Sequence, residues 1–137
     1  MTEHAPKLDY LLPDDMPAPL ASYSHGVFVP AGSDMVFCSG QLGIGRDGAV
    51  PEDAGAQAEL CFRNVLTILA AAGLGLKDVV RINAYVTDRA HLQPYMAVRD
   101  RLFPKPAPAS TLMIVAGFTR EEFKVEVEVV AAKRSKE

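Results

Sequence analysis

One stretch organises the chain, and it reads Val36-Phe37-Cys38-Ser39-Gly40-Gln41-Leu42-Gly43. Its apolar half predicts a short buried strand, and a hydroxyl, a glycine and an amide follow at the end of that strand. A rigid strand that ends in small polar residues can present backbone and side-chain hydrogen bonds to a ligand. We therefore expect this stretch to anchor a sheet and to form the floor of a small-molecule site.

The residues before this strand predict an extended lead-in followed by a hairpin. Prolines and charged turn formers recur in residues 1–22, so this segment is expected to lie along the body of the protein without forming a helix. Residues 27–29 predict a first strand, and residues 31–34, Ala-Gly-Ser-Asp, have the composition of a tight turn. We therefore expect residues 35–39 to pair antiparallel with that first strand.

Hydrophobic periodicity predicts two helices and three further strands after a loop at residues 43–48. Apolar residues spaced by three and four predict the first helix, which Gly73 ends, and runs rich in β-branched residues predict the strands. The predicted elements are a helix over about 51–72, a strand at 79–87, a second helix at 91–103, and strands at 110–116 and 123–131.

The order ββαβαββ predicts an α+β fold in which two helices pack on one face of a mixed sheet of five or six strands. Crossovers through helices predict parallel pairing, whereas the opening hairpin and the closing pair of strands are expected to be antiparallel. We expect a single domain at residues 23–133, with residues 1–22 as the lead-in and 134–137 as a tail. The second sheet face keeps apolar residues, so oligomerisation is expected to cover it.

Composition and charge argue against several classes of function. The 137 residues are 49% hydrophobic and 23% charged, which is typical of a soluble globular protein. A net charge of −3 without a basic stripe gives no support for a nucleic-acid partner. We expect no membrane partner, because no apolar run approaches the roughly 20 residues of a membrane helix. Without a secretory signal and with Cys38 and Cys61 in apolar segments, the chain is expected to be cytoplasmic.

Three motifs suggest cofactor, metal or thiol chemistry, and none is convincing. Residues 43–48 satisfy G-x-G-x-x-G, but the third glycine lies in an Asp-Gly turn rather than in a helix, so we interpret them as a loop and expect no cofactor. The histidines at 4, 25 and 91 have no chelating neighbour, so no metal site is expected. Neither cysteine has a nearby base or cation that would make it a nucleophile.

Two features keep alternative interpretations open. His25 precedes the first strand, where it could reach a cleft or could simply be exposed to solvent. Glu126 and Glu128 alternate with valines on the last strand, which is typical of a solvated face. A carboxylate on that strand could instead hold a water or bind an ammonium group beside Ser39, Gly40 and Gln41.

The order of motifs resembles the RidA (YjgF) family. Five segments carry the resemblance: residues 23–26, similar to P-Y-S-x-A; 36–41, similar to V-x-x-S-G-Q; 64–74, similar to N-L-x-x-x-L-x-x-A-G; 78–88, similar to D-V-V-K-x-x-V-Y-L-x-D; and 125–128, similar to I-E-I-E. The resemblance covers about residues 20–133 and implies a chorismate-mutase-like α+β fold and a homotrimer with clefts between subunits. It also implies hydrolysis of reactive enamines and imines, such as 2-aminoacrylate, to ketoacids and ammonia without a metal or cofactor.

The resemblance further implies the residues of the site. Glu126 and Ser39 are expected to be catalytic, Glu126 by holding the attacking water, and the expected ligand-binding positions are Tyr23, His25, Gly40, Met96, Ala109 and Thr111. Of these, Tyr23, Ser39, Gly40 and Glu126 match the family's residues, and His25 is a candidate because it precedes the first strand. The family binds the substrate carboxylate with an arginine in a P-A-R-S/T motif, and aligning Ser110 and Thr111 with it places Ala109 at the arginine. The family's asparagine in the second helix falls at Met96.

Loss of a bidentate arginine costs roughly 2–4 kcal/mol of ligand binding unless another group replaces it. Lys105, Arg120 or His25 could supply that group. Two hypotheses follow: a divergent imine or enamine hydrolase that acts on a small metabolite, and a ligand-binding or regulatory trimer without catalysis. An endoribonuclease or translation-inhibitor function, reported for some relatives, finds no support in a net-negative chain.

Overall fold

A computed structural model describes residues 7–134 of the chain. The strands and helices are β1 (Asp9–Leu11), β2 (Gly26–Phe28), β3 (Ser33–Phe37), β4 (Gln41–Leu42), α1 (Ala54–Ala71), β5 (Val79–Val86), α2 (Leu92–Leu102), β6 (Ala109–Ile114) and β7 (Val125–Arg134). Short 3-10 helices at Leu76–Asp78 and Arg89–His91 precede β5 and α2. Most of the predicted tail, residues 135–137, lies outside the described residues, and the domain limits stay a prediction.

The main sheet has five strands and mixed direction, which confirms the predicted α+β class. Its order is β3-β7-β5-β6, and the short β4 also pairs with β7. β5 and β6 are parallel because α2 carries the chain back between them, whereas β7 is antiparallel to β3, β4 and β5. The predicted pairing of the last two strands is wrong, because β5 lies between β6 and β7, although these two strands do run in opposite directions.

The predicted opening hairpin is wrong. β2 pairs antiparallel with β1 of the lead-in in a separate two-stranded sheet, from Asp9 opposite Phe28 to Leu11 opposite Gly26. β3 pairs along its whole length with β7, which runs past the predicted end at residue 131 as far as Arg134. The turn between β2 and β3 therefore carries the chain from one sheet to the other.

Helix α1 packs on the sheet through the apolar face that its sequence predicts. Asp53 caps its first turn, with the side chain accepting a hydrogen bond from the Ala56 N–H at 2.9 Å, and Gly73 leaves the helix at a φ of 79°. The buried residues of α1 include Ala58, Cys61, Phe62, Val65 and Leu69, and they face Val125, Val127 and Val129 of β7 and Ile82, Ala84 and Val86 of β5. Burial of these apolar side chains is the main source of stability.

The glycine-rich segment is a loop, as predicted, and it is fixed to α1 by close packing. A Cβ at Gly43 would lie only 2.7 Å from the Cα of Gln57, so only glycine allows this approach. The Asn64 amide donates to the Leu42 and Ile44 carbonyls at 3.3 and 3.1 Å. Gly48 turns the chain at a φ of 84°. The segment connects β4 to α1 and has no helix that could hold a phosphate.

Candidate functional site

The second face of the main sheet, which we call the open face, carries the polar residues of the candidate site. Strand register arranges them in rows that run across the sheet: Leu42, Glu126, Tyr85 and Met113 in the first row, Glu128, Asn83 and Thr111 in the second, and Phe37, Val130, Arg81 and Ala109 in the third. The helices cover the opposite face, so a ligand can approach the sheet only from this side within one protomer.

Glu126 lies against Gly40, which joins the stretch that opens the sheet to the acid of the last strand. A Cβ at Gly40 would lie 2.7 Å from the Glu126 carboxyl carbon. This contact is possible because residues 38–40 face only residues 128–129 of β7, between the pairs Phe37–Val130 and Gln41–Val127, and therefore bulge. Gly40 and Glu126 are therefore in direct contact in the structure.

The environment of Glu126 weakens its acidity. Partial burial, and then the nearby Glu128 carboxylate, raise the pKa of Glu126 above its ordinary value. Glu128 accepts a 2.6 Å hydrogen bond from the Tyr85 hydroxyl. That hydrogen bond is the first cause that raises the pKa of Tyr85, with burial second, so the phenol is protonated at neutral pH. A carboxylate with raised pKa, a second acid and a phenol therefore share one patch of the open face.

Arg81 places a cation on the open face, with its Cα in the third row and its guanidinium over the second. Arg81 Nη2 donates to the Thr111 hydroxyl at 2.8 Å, across the parallel pair of β5 and β6. Ala109 lies beside Arg81 in the register and is buried, with Ser24 of the N-terminal segment bridging to it from the other side. Ser110 points toward the helices, so Ala109 and Thr111 are the β6 residues that face the site.

Tyr23 and His25 lie beyond the edge of β6 and contact the lead-in. The Tyr23 hydroxyl accepts from the Leu20 N–H at 3.3 Å, and His25 Nε2 donates to the Pro17 carbonyl at 2.7 Å. Tyr23 also lines a cavity of about 190 Å³ together with Lys105. These contacts use both predicted ligand-binding side chains to hold the N-terminal segment against the domain.

The other predicted site residues are spread over the protomer. Ser39 is exposed beside Gly40, and its carbonyl accepts from the Gln41 amide at 3.1 Å. Met96 packs against the core from α2, on the helix side of the sheet. Arg120 pairs with Glu122 at 3.1 Å and lies 4.5 Å above the Phe123 ring. Within one protomer, Met96 is therefore separated from Glu126 by the sheet.

Sequence reasoning missed Arg81 and Tyr85 as members of this patch. Both belong to the strand that the sequence predicts at 79–87, and alternation alone puts them on one face. Which face that is, and which residues lie opposite, follow from the register with β6 and β7, and the sequence contains no signal for that register.

The described residues provide little for metal or thiol chemistry. Within residues 7–134, no group of three or more histidine, cysteine, aspartate and glutamate side chains is placed to hold a metal ion. Burial raises the pKa of the Cys61 thiol to about 12, and it also raises the pKa of Cys38. Neither thiol is ionised near neutral pH. In the same part of the chain, no helix is both long enough and apolar enough to cross a membrane.

Comparison with known proteins identifies the family. The family model described as Endoribonuclease L-PSP matches residues 14–133. The chain belongs to this family, which includes the RidA/YjgF proteins that its motifs resemble. A 2-iminobutanoate/2-iminopropanoate deaminase of Salmonella typhimurium is 32% identical over 125 residues, which cover 88% of this chain and 94% of that protein.

Solved structures agree with the fold. The crystal structure of the Rid-family protein YyfB from Yersinia pestis matches with a TM-score of 0.81 and covers 92% of this chain and 98% of that one. At 23% identity, this likeness supports the fold alone. The structure of Escherichia coli TdcF with bound serine matches with a TM-score of 0.68 at 31% identity and covers 85% of this chain and 92% of that one.

Proposed function

We propose that this protein hydrolyses small reactive imines and enamines to carbonyl compounds and ammonia, without a metal or cofactor. The observation that carries the proposal is the Glu126 carboxyl, which lies against Gly40 with a raised pKa and has Glu128 and Tyr85 beside it. The deaminase name of the Salmonella typhimurium relative and the serine bound to Escherichia coli TdcF support a small amino-acid-like substrate.

The reaction demands little of the protein. The imine carbon is already electrophilic, so the site must hold the substrate, position a water and accept one proton. In the proposed step, water adds to the imine carbon while Glu126 takes a proton from that water and later returns it to the leaving nitrogen. The carbon–nitrogen bond then breaks while Glu126 takes the proton of the newly formed hydroxyl group, which releases ammonia and leaves a carbonyl. A carboxylate with raised pKa is a stronger base than an ordinary one, and two nearby acids favour the cationic iminium form.

We also propose that the working form is a cytoplasmic homotrimer with its clefts between subunits. Large apolar side chains on the open face are exposed in the protomer, with Phe37 73% exposed and Met113 50% exposed. Apolar exposure of this kind favours coverage by another protein surface. In such a trimer, Met96 would face the open face of a neighbouring copy, whereas within one protomer it lies on the helix side of the sheet.

Ammonia release tests the proposed activity. Imines are generated in place by an amino-acid oxidase with catalase, and the rates of ammonia and ketoacid formation are compared with and without the protein. We expect acceleration by the wild type and a loss of about 10²–10⁴-fold in Glu126→Gln, since a general base of this kind contributes that much. Glu121→Gln, a change at an exposed acid outside the open face, should retain the rate. Full activity of Glu126→Gln would remove the proposed role.

A second candidate function is ligand binding without turnover, and Ala109 in place of the family's arginine favours it. Saturable binding of 2-oxobutanoate by a wild-type protein that accelerates no imine hydrolysis would select this function. We do not propose ribonuclease activity, although the family is described as Endoribonuclease L-PSP, because the chain has a net charge of −3 and phosphate backbones require cationic surfaces.

A further inference from the structure

Arg81 is a cation on the open face of the sheet, close to Ala109. Its Cα is the register partner of Ala109, so the two residues are neighbours on adjacent strands and face the same way. Adjacent strands are about 4.8 Å apart, less than the length of an arginine side chain. An arginine on β5 can therefore deliver its guanidinium to the region in front of residue 109, where the chain itself has only a methyl group.

The direction of the Arg81 side chain strengthens this point. Its Nη2 donates to Thr111, so the guanidinium lies over the second row of the open face, one row from Glu126 and Tyr85. Rows are two residues apart along a strand, or roughly 7 Å. A small 2-imino acid whose carboxylate bonds to a guanidinium there can place its imine carbon between the cation and Glu126.

The guanidinium of Arg81 also has donors available for a ligand. Within residues 7–134, no carboxylate lies at ion-pair distance from its guanidinium, although Glu126 and Glu128 share the face. Thr111 takes one of the five N–H donors that a guanidinium has. Two parallel donors can bind a carboxylate in a bidentate pair, which is the geometry that arginine provides and lysine does not.

The other cationic side chains near the site are less well placed to bind a substrate carboxylate. Arg120 already has a carboxylate partner in Glu122, and His25 donates to the Pro17 carbonyl. Lys105 lines the cavity beside Tyr23, which lies outside the edge of β6 rather than on the open face. Among these side chains, only Arg81 lies on the same face of the sheet as Glu126.

We infer that Arg81, steadied by the Thr111 hydroxyl, binds the carboxylate of the substrate and replaces the arginine that the chain lacks at Ala109. This assignment rests on the proposed function, because it places the ligand on the open face beside Glu126. It also narrows the substrate class to imines and enamines that carry a carboxylate. The guanidinium would reach the substrate carboxylate from β5, the strand next to the one that carries Ala109.

The test measures binding separately from catalysis. The affinity of the full-length protein for 2-oxobutanoate is compared with its affinity for the neutral amide of the same acid, by calorimetric or NMR titration. The wild type should prefer the carboxylate by at least about tenfold, and Arg81→Gln should lose that preference, since charge-assisted bonds to an arginine carry it. Arg81→Lys should keep only part of it. A purely structural role of Arg81 would change both affinities alike.

Arg101→Gln is the matched control, because Arg101 pairs with Glu59 between the helices, on the side away from the open face. It should leave the carboxylate preference unchanged. A wild type without this preference, or an Arg81→Gln protein that keeps it, would overturn the assignment. Carboxylate preference that depends on Arg81, found together with no acceleration of ammonia release, would instead overturn the proposed hydrolase function and leave the assignment of Arg81 intact.

Discussion

A carboxyl group that is partly buried beside a second carboxylate holds its proton more tightly than one in water, and Glu126 is in this position. As the proposed base, Glu126 works only after it loses that proton. We therefore expect kcat/KM to rise with pH through an apparent pKa above 4.5, the ordinary value for this group. Glu128→Gln removes one cause of the shift and should move the acidic limb to lower pH. The pH–rate profiles of both proteins check this.

The same raised pKa fixes the sign of a stability effect. The folded protein binds the Glu126 proton more tightly than the unfolded chain, so the stabilisation by that proton is complete below the unfolded pKa. It is lost as the pH rises from about 4.5 through the raised folded value. Glu126→Gln removes this loss, so its free energy of unfolding relative to the wild type should increase between pH 4 and pH 7. Denaturant unfolding at both pH values measures it, and an opposite trend would contradict the raised pKa.

Gly40 tests whether the position of Glu126 matters independently of its charge. Since a Cβ at Gly40 would lie 2.7 Å from the Glu126 carboxyl carbon, Gly40→Ala must displace that side chain. A misplaced catalytic group can lose about 10²-fold in rate, and we expect a loss of that order in kcat. Gly117→Ala is the control, because a Cβ there meets nothing within 4 Å. Equal activity of the two variants, measured as ammonia release, would show that the contact has no catalytic consequence.

At the scale of elements, Gln57 connects α1 to the segment that leads into β7. It is fully buried, its amide nitrogen donates to the Pro51 and Glu122 carbonyls at 2.8 Å each, and its oxygen accepts from the Lys124 N–H at 2.8 Å. Gln57→Leu would leave three backbone groups without partners, so we expect a loss of about 2–5 kcal/mol in the free energy of unfolding. Denaturant titration measures this loss.

Gln93→Leu provides the comparison, because Gln93 is exposed on α2 and the substitution is chemically identical. It should change the free energy of unfolding by no more than about 0.5 kcal/mol. A similar loss in both variants would indicate that leucine disturbs the helices generally, and would contradict the role given to the buried hydrogen bonds.

Elements with strong periodicity were predictable, and their partners were not. The alternation of Val125, Glu126, Val127 and Glu128 correctly predicted a buried and a polar face, because burial imposes a period of two on a strand. β1 has only three residues, too few for a pattern, so nothing in the sequence indicated that it would pair with β2. The turn chemistry at residues 31–34 therefore predicts a hairpin that the structure does not contain.

The residues of the candidate site were likewise predictable only where they lie in a local sequence motif. Gly40 and Glu126 were predicted because each lies in a motif of adjacent residues that carries the family resemblance. Arg81 was missed because its relation to Ala109 and Thr111 exists only across two strands that are about 30 residues apart in the sequence. A pattern along one chain segment cannot specify which side chain lies opposite, so a replacement from a neighbouring strand is visible only in the fold.

At the scale of the whole molecule, the open face combines the candidate chemistry with exposed apolar side chains. Phe37 and Met113 lie at opposite edges of this face, with the acids and Arg81 between them. An interface that buries both edges would exclude water from the polar rows and strengthen their electrostatic interactions. Assembly and activity are therefore expected to be coupled, because the residues proposed to bind substrate lie on the surface proposed to associate.

Phe37→Asp tests that coupling, since it places a charge on the most exposed aromatic side chain of the open face without touching Glu126 or Arg81. We expect the wild type to elute with three times the mass of one chain in size-exclusion chromatography with light scattering, and Phe37→Asp with the mass of one chain. Burying an unpaired carboxylate in an interface costs several kcal/mol, enough to separate the subunits at micromolar concentration. Ammonia release should fall together with the mass.

Leu66→Asp is the control for this change, because Leu66 is exposed on α1, on the opposite side of the molecule from the open face. It introduces the same charge in place of an apolar side chain and should remain trimeric and active. A Phe37→Asp protein that keeps the trimeric mass would place the interface elsewhere. A dissociated Phe37→Asp protein with full activity would show instead that one protomer's open face holds the complete site, and that Glu126 and Arg81 need no neighbouring subunit.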